Sequence, residues 1–241
     1  MSAVGAQTAA EVRMTLRRGE SLLLALGIPV LLLVFFSLVD VLPTGTDRPV
    51  EFLAPGILAL AVMSAAMVGL AIATGFERQY GVLKRIGTTP LGRSGLLVAK
   101  IAAVVLVELV QFAVLIVVGL ALGWRPSLTG LGEAVPAVLL GTAAFAGLGL
   151  CMAGRWKAEM VLAGANGLYL VLLLVSGMLI PLAKLPAPLR SIARLLPSAA
   201  LADVLRGALS SGVAVSAEAW VVLVVWAVVA PVAAARLFRW E

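Results

Sequence analysis

An all-α membrane protein with six transmembrane helices is the fold class this sequence predicts, and three observations predict it. Apolar residues fill 62% of the 241 positions and charged residues 12%, about half the charged share of a soluble domain. Six apolar runs approach the roughly 20 residues a helix needs to cross about 30 Å of hydrocarbon. Charges gather between those runs, where water or headgroups can solvate them.

Before the first run, Ala9, Val12 and Leu16 face one way while Arg13, Arg17 and Glu20 line the neighbouring arc. That is the pattern of an interfacial amphipathic helix. The first span is predicted at 22–39, kinked or adjusted near Pro29. Arg13, Arg17 and Arg18 give it the flank of a secretory leader. Its apolar run is too long for one, and Asp40-Val41-Leu42-Pro43 offers no small-residue cleavage site, so the helix is read as retained. The remaining spans are predicted at 52–76, 101–123, 134–154, 160–183 and 219–235, within a single membrane domain, 1–241.

Between the second and third spans lies Glu77-Arg78-Gln79-Tyr80-Gly81-Val82-Leu83-Lys84-Arg85-Ile86-Gly87-Thr88-Thr89-Pro90-Leu91, a basic insert in a chain otherwise poor in charge. Residues 79–86 can make two helical turns, with Val82, Leu83 and Ile86 toward an apolar cleft of a soluble partner and Lys84 and Arg85 flanking. Thr88-Thr89-Pro90 then stops the helix, because a residue before proline leaves the α region. Glu77 and Arg78 sit at the membrane boundary, where a buried ion pair could fix the angle of the element. The plainer alternative is a solvated loop whose charges anchor lipid headgroups.

In the third span Glu108 stands out, with Gln111 one turn further along. A carboxylate at that depth costs on the order of 2.5–3.5 kcal/mol, so it should face protein or water. It is either a substrate-path or proton-linked group, or a carboxyl that ties the third span to another helix, with Asn166 as a possible partner. Gly141, Gly147 and Gly154, and then Ala163, Gly164 and Gly167, offer small faces for close helix packing.

Between the fifth and sixth spans, Pro186, Pro188 and Pro197 divide residues 184–218 into short pieces. Leu189, Ile192 and Leu196 recur at helical spacing, with Arg190 and Arg194 four apart. Leu201, Val204, Leu205 and Ala208 share a second face, with Asp203 and Arg206 paired three apart. Both pieces read as amphipathic helices at or dipping into the outer interface, the alternative being an ordinary surface loop.

Charge sets the orientation. With the N-terminus inside, 12 of the 18 basic residues fall on the cytoplasmic side, including Arg78, Lys84, Arg85, Arg93, Lys100, Arg155, Lys157, Arg236 and Arg239. This bias favours both termini in the cytoplasm and accounts for the basic balance without a nucleic-acid partner. The sequence has no histidine and a single cysteine, Cys151, which removes the commonest general base and an internal disulfide. It has no Gly-Lys dipeptide, so it carries no phosphate-cradling loop of the G-x4-G-K-[ST] form. A proton-coupled secondary transporter using Glu108 is the second reading; an intramembrane enzyme would need clustered acids or a His/Ser constellation.

Three segments resemble the membrane subunit of ABC-2 type transporters, particularly the daunorubicin-resistance permease type. They are the Arg-rich lead-in with its Pro29-containing first span; Glu77-Arg78-(x2)-Gly81-(x)-Leu83-(x)-Arg85-(x3)-Thr89-Pro90-Leu91, closing at Lys100; and Ser176-Gly177-Met178-Leu179-Ile180-Pro181-(x4)-Leu185-Pro186, continuing to Leu196-Pro197 and Asp203-Val204-Leu205-Arg206. The resemblance implies an N-terminal connecting helix and a cytoplasmic coupling helix with Glu77, Arg78, Gly81, Leu83, Arg85, Ile86, Thr89, Pro90 and Leu91 at its ATPase contact. It also implies re-entrant helices carrying Gly177, Pro181, Pro186, Pro197, Asp203 and Arg206. It implies a separate ABC ATPase that binds the ATP, so that this chain is not catalytic and holds no cofactor or metal. A second permease subunit, identical or similar, would meet it along the first and fifth spans in a bacterial cytoplasmic membrane. The substrate class would be an exported drug, lipid or glycan-like amphiphile.

Overall fold

The computed structural model describes residues 3–17, 19–39, 42, 48–87, 91–210 and 215–238. Among them the regular structure is all helix, with no strand. In order the helices are α1 (Ala3–Arg17), α2 (Gly19–Leu38), α3 (Pro49–Met63), α4 (Leu70–Gln79), α5 (Val82–Gly87), α6 (Gly92–Ala121), α7 (Leu131–Ala153), α8 (Ala158–Val175), α9 (Ala187–Arg194), α10 (Pro197–Leu209) and α11 (Ala217–Leu237). Five described segments are long and apolar enough to cross a membrane: Pro49–Gln79, Gly95–Ala121, Leu128–Ala153, Ala158–Val175 and Ala217–Leu237. In the first predicted span the described apolar stretch is shorter, Ala25–Leu38. The Thr88-Thr89-Pro90 stop, Arg18, Asp40, Val41, Pro43 and Arg239 lie outside the described residues, as do the side chains of Leu16, Arg17, Glu20 and Arg93.

The centre of the bundle is the second span, where α3 and α4 run on through a π-helical stretch, Ser64–Gly69. Pro49 starts it at the position where its missing N–H is harmless. Almost every side chain from Phe52 to Met63 is buried, because α2, α6, α7 and α10 surround this span. Glycines permit close backbone approaches in the bundle. A Cβ on Gly56 would overlap the Met178 carbonyl, and one on Gly147 would overlap the Ala230–Pro231 backbone. Small residues let helix backbones meet, and in lipid that close packing supplies much of the association energy.

Two expectations change. The helix of the fifth span ends at Val175 rather than continuing to 183. Ser176 Oγ donates to Leu173 O (3.1 Å) and accepts from Met178 N (3.2 Å), and Gly177 takes a left-handed φ of 74°. The backbone therefore leaves the helix before Pro181 could break it. The second concerns α10, expected as an amphipathic helix at or dipping into the outer interface, which lies deeper than an interfacial position. It is buried on nearly all sides against α3, α7 and α11, because alanine and glycine at Ala199, Ala200, Ala202, Gly207 and Ala208 make it narrow and apolar all round. The amphipathic α9 does keep an exposed apolar edge, Leu189, Ile192 and Leu195, opposite buried Ala193.

Candidate coupling end and membrane cavity

Three consecutive side chains at the end of α4 tie one end of the bundle together. Glu77 Oε2 lies 2.5 Å from Lys100 Nζ of α6, which also pairs with Glu11 of α1 at 3.2 Å. Arg78 donates to Gly154 O (2.9 Å) and to Trp156 O, at the turn between α7 and α8. Gln79 accepts from Ala158 N and donates to Glu159 Oε1, both at 3.0 Å, and so caps the start of α8. A helix offers orphan N–H groups at its start and orphan carbonyls at its end, and the α7–α8 turn presents both. Arg78 and Gln79 meet one kind each. Glu77 and Arg78 take separate partners, Glu77 in an ion pair with Lys100, because successive helical residues point about 100° apart.

Past this junction Gly81, with φ 69°, reverses the chain, and α5 starts at Val82 rather than at residue 79 as expected. Gly92, with φ 65°, bounds the other side. Leu83, expected on the docking face, is only 1% exposed. It holds α5 against its own chain between α4 and α6. Tyr80, Val82, Lys84 and Arg85 are exposed and Ile86 is half-buried. Leu91 is half-buried at the turn into α6.

Glu108 and Gln111 are both buried in α6, at 2% and 1% exposure. Thr142 of α7 donates to Glu108 Oε2 at 2.8 Å. Asn166, expected as its partner, instead donates to Leu162 O of its own helix. Gln111 Nε2 donates across to Ala25 O of α2 at 2.9 Å. At the opposite end of the bundle Arg206 donates to Gly177 O (2.9 Å) and stacks over Phe52, 3.9 Å from the ring centre. The expected Asp203–Arg206 ion pair is not among the described salt bridges, which both involve Lys100. Pro186 and Pro197 open α9 and α10, and Pro181 precedes a short 3-10 turn, Leu182–Lys184.

A cavity of about 460 Å³ opens between these helices, within the usual range for small-molecule sites. Its walls are apolar but for a few groups: Ser64 at the π-helical stretch, Asn166 and Tyr169 of α8, and the Glu11–Lys100 pair at the coupling end. Ala25 and Pro29 of α2 form a further wall. Sequence reasoning missed Gln79 and Thr142. A glutamine in a polar insert and a threonine in an apolar span carry no signal of their partners.

Against known families, the profile described as ABC-2 type transporter matches residues 3–210. No curated protein matches the chain.

Proposed function

This chain belongs to the ABC-2 type transporter family, and from that premise we propose that it is the permease subunit of an ATP-driven exporter. Its family and its spans make it a multi-pass membrane protein, a transport component that works with an ABC ATPase and a partner permease. The finer reading is that a separate ATPase chain binds the ATP and docks on the cytoplasmic end at α5, with both termini on that side. The exported substrate is an amphiphile, drug, lipid or glycan-like, passing along the apolar cavity of a bacterial cytoplasmic membrane. The drug arm of that range follows the resemblance to daunorubicin-resistance permeases.

The observation that carries this reading is the Glu77-Arg78-Gln79 junction. A push on exposed α5 reaches α4 directly and, through these three side chains, α1, α6 and the α7–α8 turn. Glu108 does not line the cavity, and its Oε2 accepts from Thr142 of α7, which supports helix gluing over proton-coupled transport.

The test is co-expression with the ABC ATPases of the same genome. Val82→Asp with Lys84→Glu changes only exposed positions of α5, so co-purification and export should fall while thermal stability stays within about 0.5 kcal/mol. Leu83→Asp, by contrast, should unfold the coupling end itself. Full co-purification and normal export by the Val82/Lys84 variant would overturn the docking assignment.

A further inference from the structure

We propose that Gln111 is a positioning residue that holds a hinge in α2, and that this hinge sets the shape of the cavity wall. The functional weight of the inference rests on reading that cavity as the substrate path. Pro29 lies inside α2 and has no N–H, so the carbonyl four residues earlier, that of Ala25, loses its helical donor. A stranded acceptor away from bulk water is costly. Gln111 Nε2, from α6, donates to that very oxygen at 2.9 Å. A buried glutamine therefore mends the one rung that the proline removes.

Ala25 and Pro29 both line the cavity, whereas Gln111 does not. Gln111 acts on the cavity through α2. Across the same cavity lies the π-helical stretch Ser64–Gly69, represented in the lining by Ser64, Ala65, Val68 and Gly69. The space is thus bounded on two sides by helices whose regular ladder is interrupted, and such interruptions are where helices bend. The Gln111 bond spans the break in α2 and fixes that helix to α6.

A double-substitution cycle tests this in the assembled transporter reconstituted in liposomes. Pro29→Ala restores the missing N–H and makes the Gln111 donor redundant. Gln111→Met removes the donor at similar volume. Both are placed in a Cys151→Ala background carrying Ile28→Cys, a position that lines the cavity, and the rate of labelling by a small membrane-permeant maleimide is read. With Pro29 present, Gln111→Met should change that rate by about tenfold, equivalent to about 1.4 kcal/mol. Combined with Pro29→Ala it should change the rate by less than about twofold. If Gln111→Met folds only when Pro29→Ala accompanies it, that also supports the hinge. Equal effects in both backgrounds, no effect in either, or failure to fold in both would overturn it. Export measured on the same four proteins judges the cavity separately: a clean labelling cycle with unchanged export leaves the hinge standing and removes the cavity from the substrate path.

Discussion

Replacing Lys100 by methionine is the most informative single perturbation of the junction at the end of α4. Its ammonium lies 2.5 Å from Glu77 and 3.2 Å from Glu11, and the three side chains are 2%, 12% and 10% exposed. At an effective dielectric of about 20 the gross attractions are roughly 7 and 5 kcal/mol. Desolvation of three charges offsets most of that, so the assembled triad adds little net stability. Removing its centre is another matter. Two largely buried carboxylates then lose the cation that joined them, and the loss should be about 3–5 kcal/mol. Glu77→Gln keeps the Lys100–Glu11 pair and should cost about 2 kcal/mol. The triple change Lys100→Met, Glu11→Gln, Glu77→Gln removes all three charges and should return to within about 1 kcal/mol of the parent. For a chain of this size 1 kcal/mol moves the Tm by roughly 2–4 °C. Thermal unfolding of the solubilised complex should therefore place Lys100→Met on the order of 10 °C below the parent, with the triple variant recovering most of it. ATP hydrolysis should persist in Lys100→Met while export falls. If Lys100→Met and the triple variant melt together, the triad is not a buried electrostatic unit and the argument fails.

Gly56→Ala puts a methyl into the Met178 backbone, and because backbone cannot rotate away it should cost about 1–3 kcal/mol or more; a thermal midpoint unchanged from the parent would show that this approach is loose. Glu108→Gln should retain stability and export, since an amide oxygen still accepts from Thr142, whereas Thr142→Val should cost about 1–3 kcal/mol by stranding the buried carboxyl. Normal assembly with lost export in Glu108→Gln would give the acid a role in transport.

Much of the architecture was legible because lipid makes the code coarse. Long apolar runs separated by charge mark spans, and Pro49–Gln79 and Ala217–Leu237 extend only a few residues beyond the predicted 52–76 and 219–235. Residue faces were legible too: Glu108 and Gln111 point inward as their polarity demands. What a single sequence does not carry is which helix stands opposite a face. Glu108 meets Thr142 and not Asn166, and Leu83 packs on its own chain rather than toward a partner. Exposed Val82 and buried Leu83 are equally apolar, so composition alone could not separate an anchor from a docking face. The early end of the fifth span turned on one serine hydroxyl and one left-handed glycine, local effects that hydropathy averages away. The burial of α10 followed from its narrow alanine surface, which periodicity scored only as a weak amphipathic face.

The π-helical stretch gives the second span two independent counting frames. In an unbroken α-helix, losing one residue turns everything beyond it by about 100°. Such a deletion between Leu70 and Phe76 would swing Glu77, Arg78 and Gln79 off Lys100, the α7–α8 turn and the cap of α8 together. Ser64–Gly69 already holds the slack of a wider turn, so a deletion there can be absorbed by tightening to ordinary α geometry while both halves keep their facing. Changes in length along this span are therefore not equivalent, and at Ser64–Gly69, level with the cavity, its contour can be edited without rephasing the junction below.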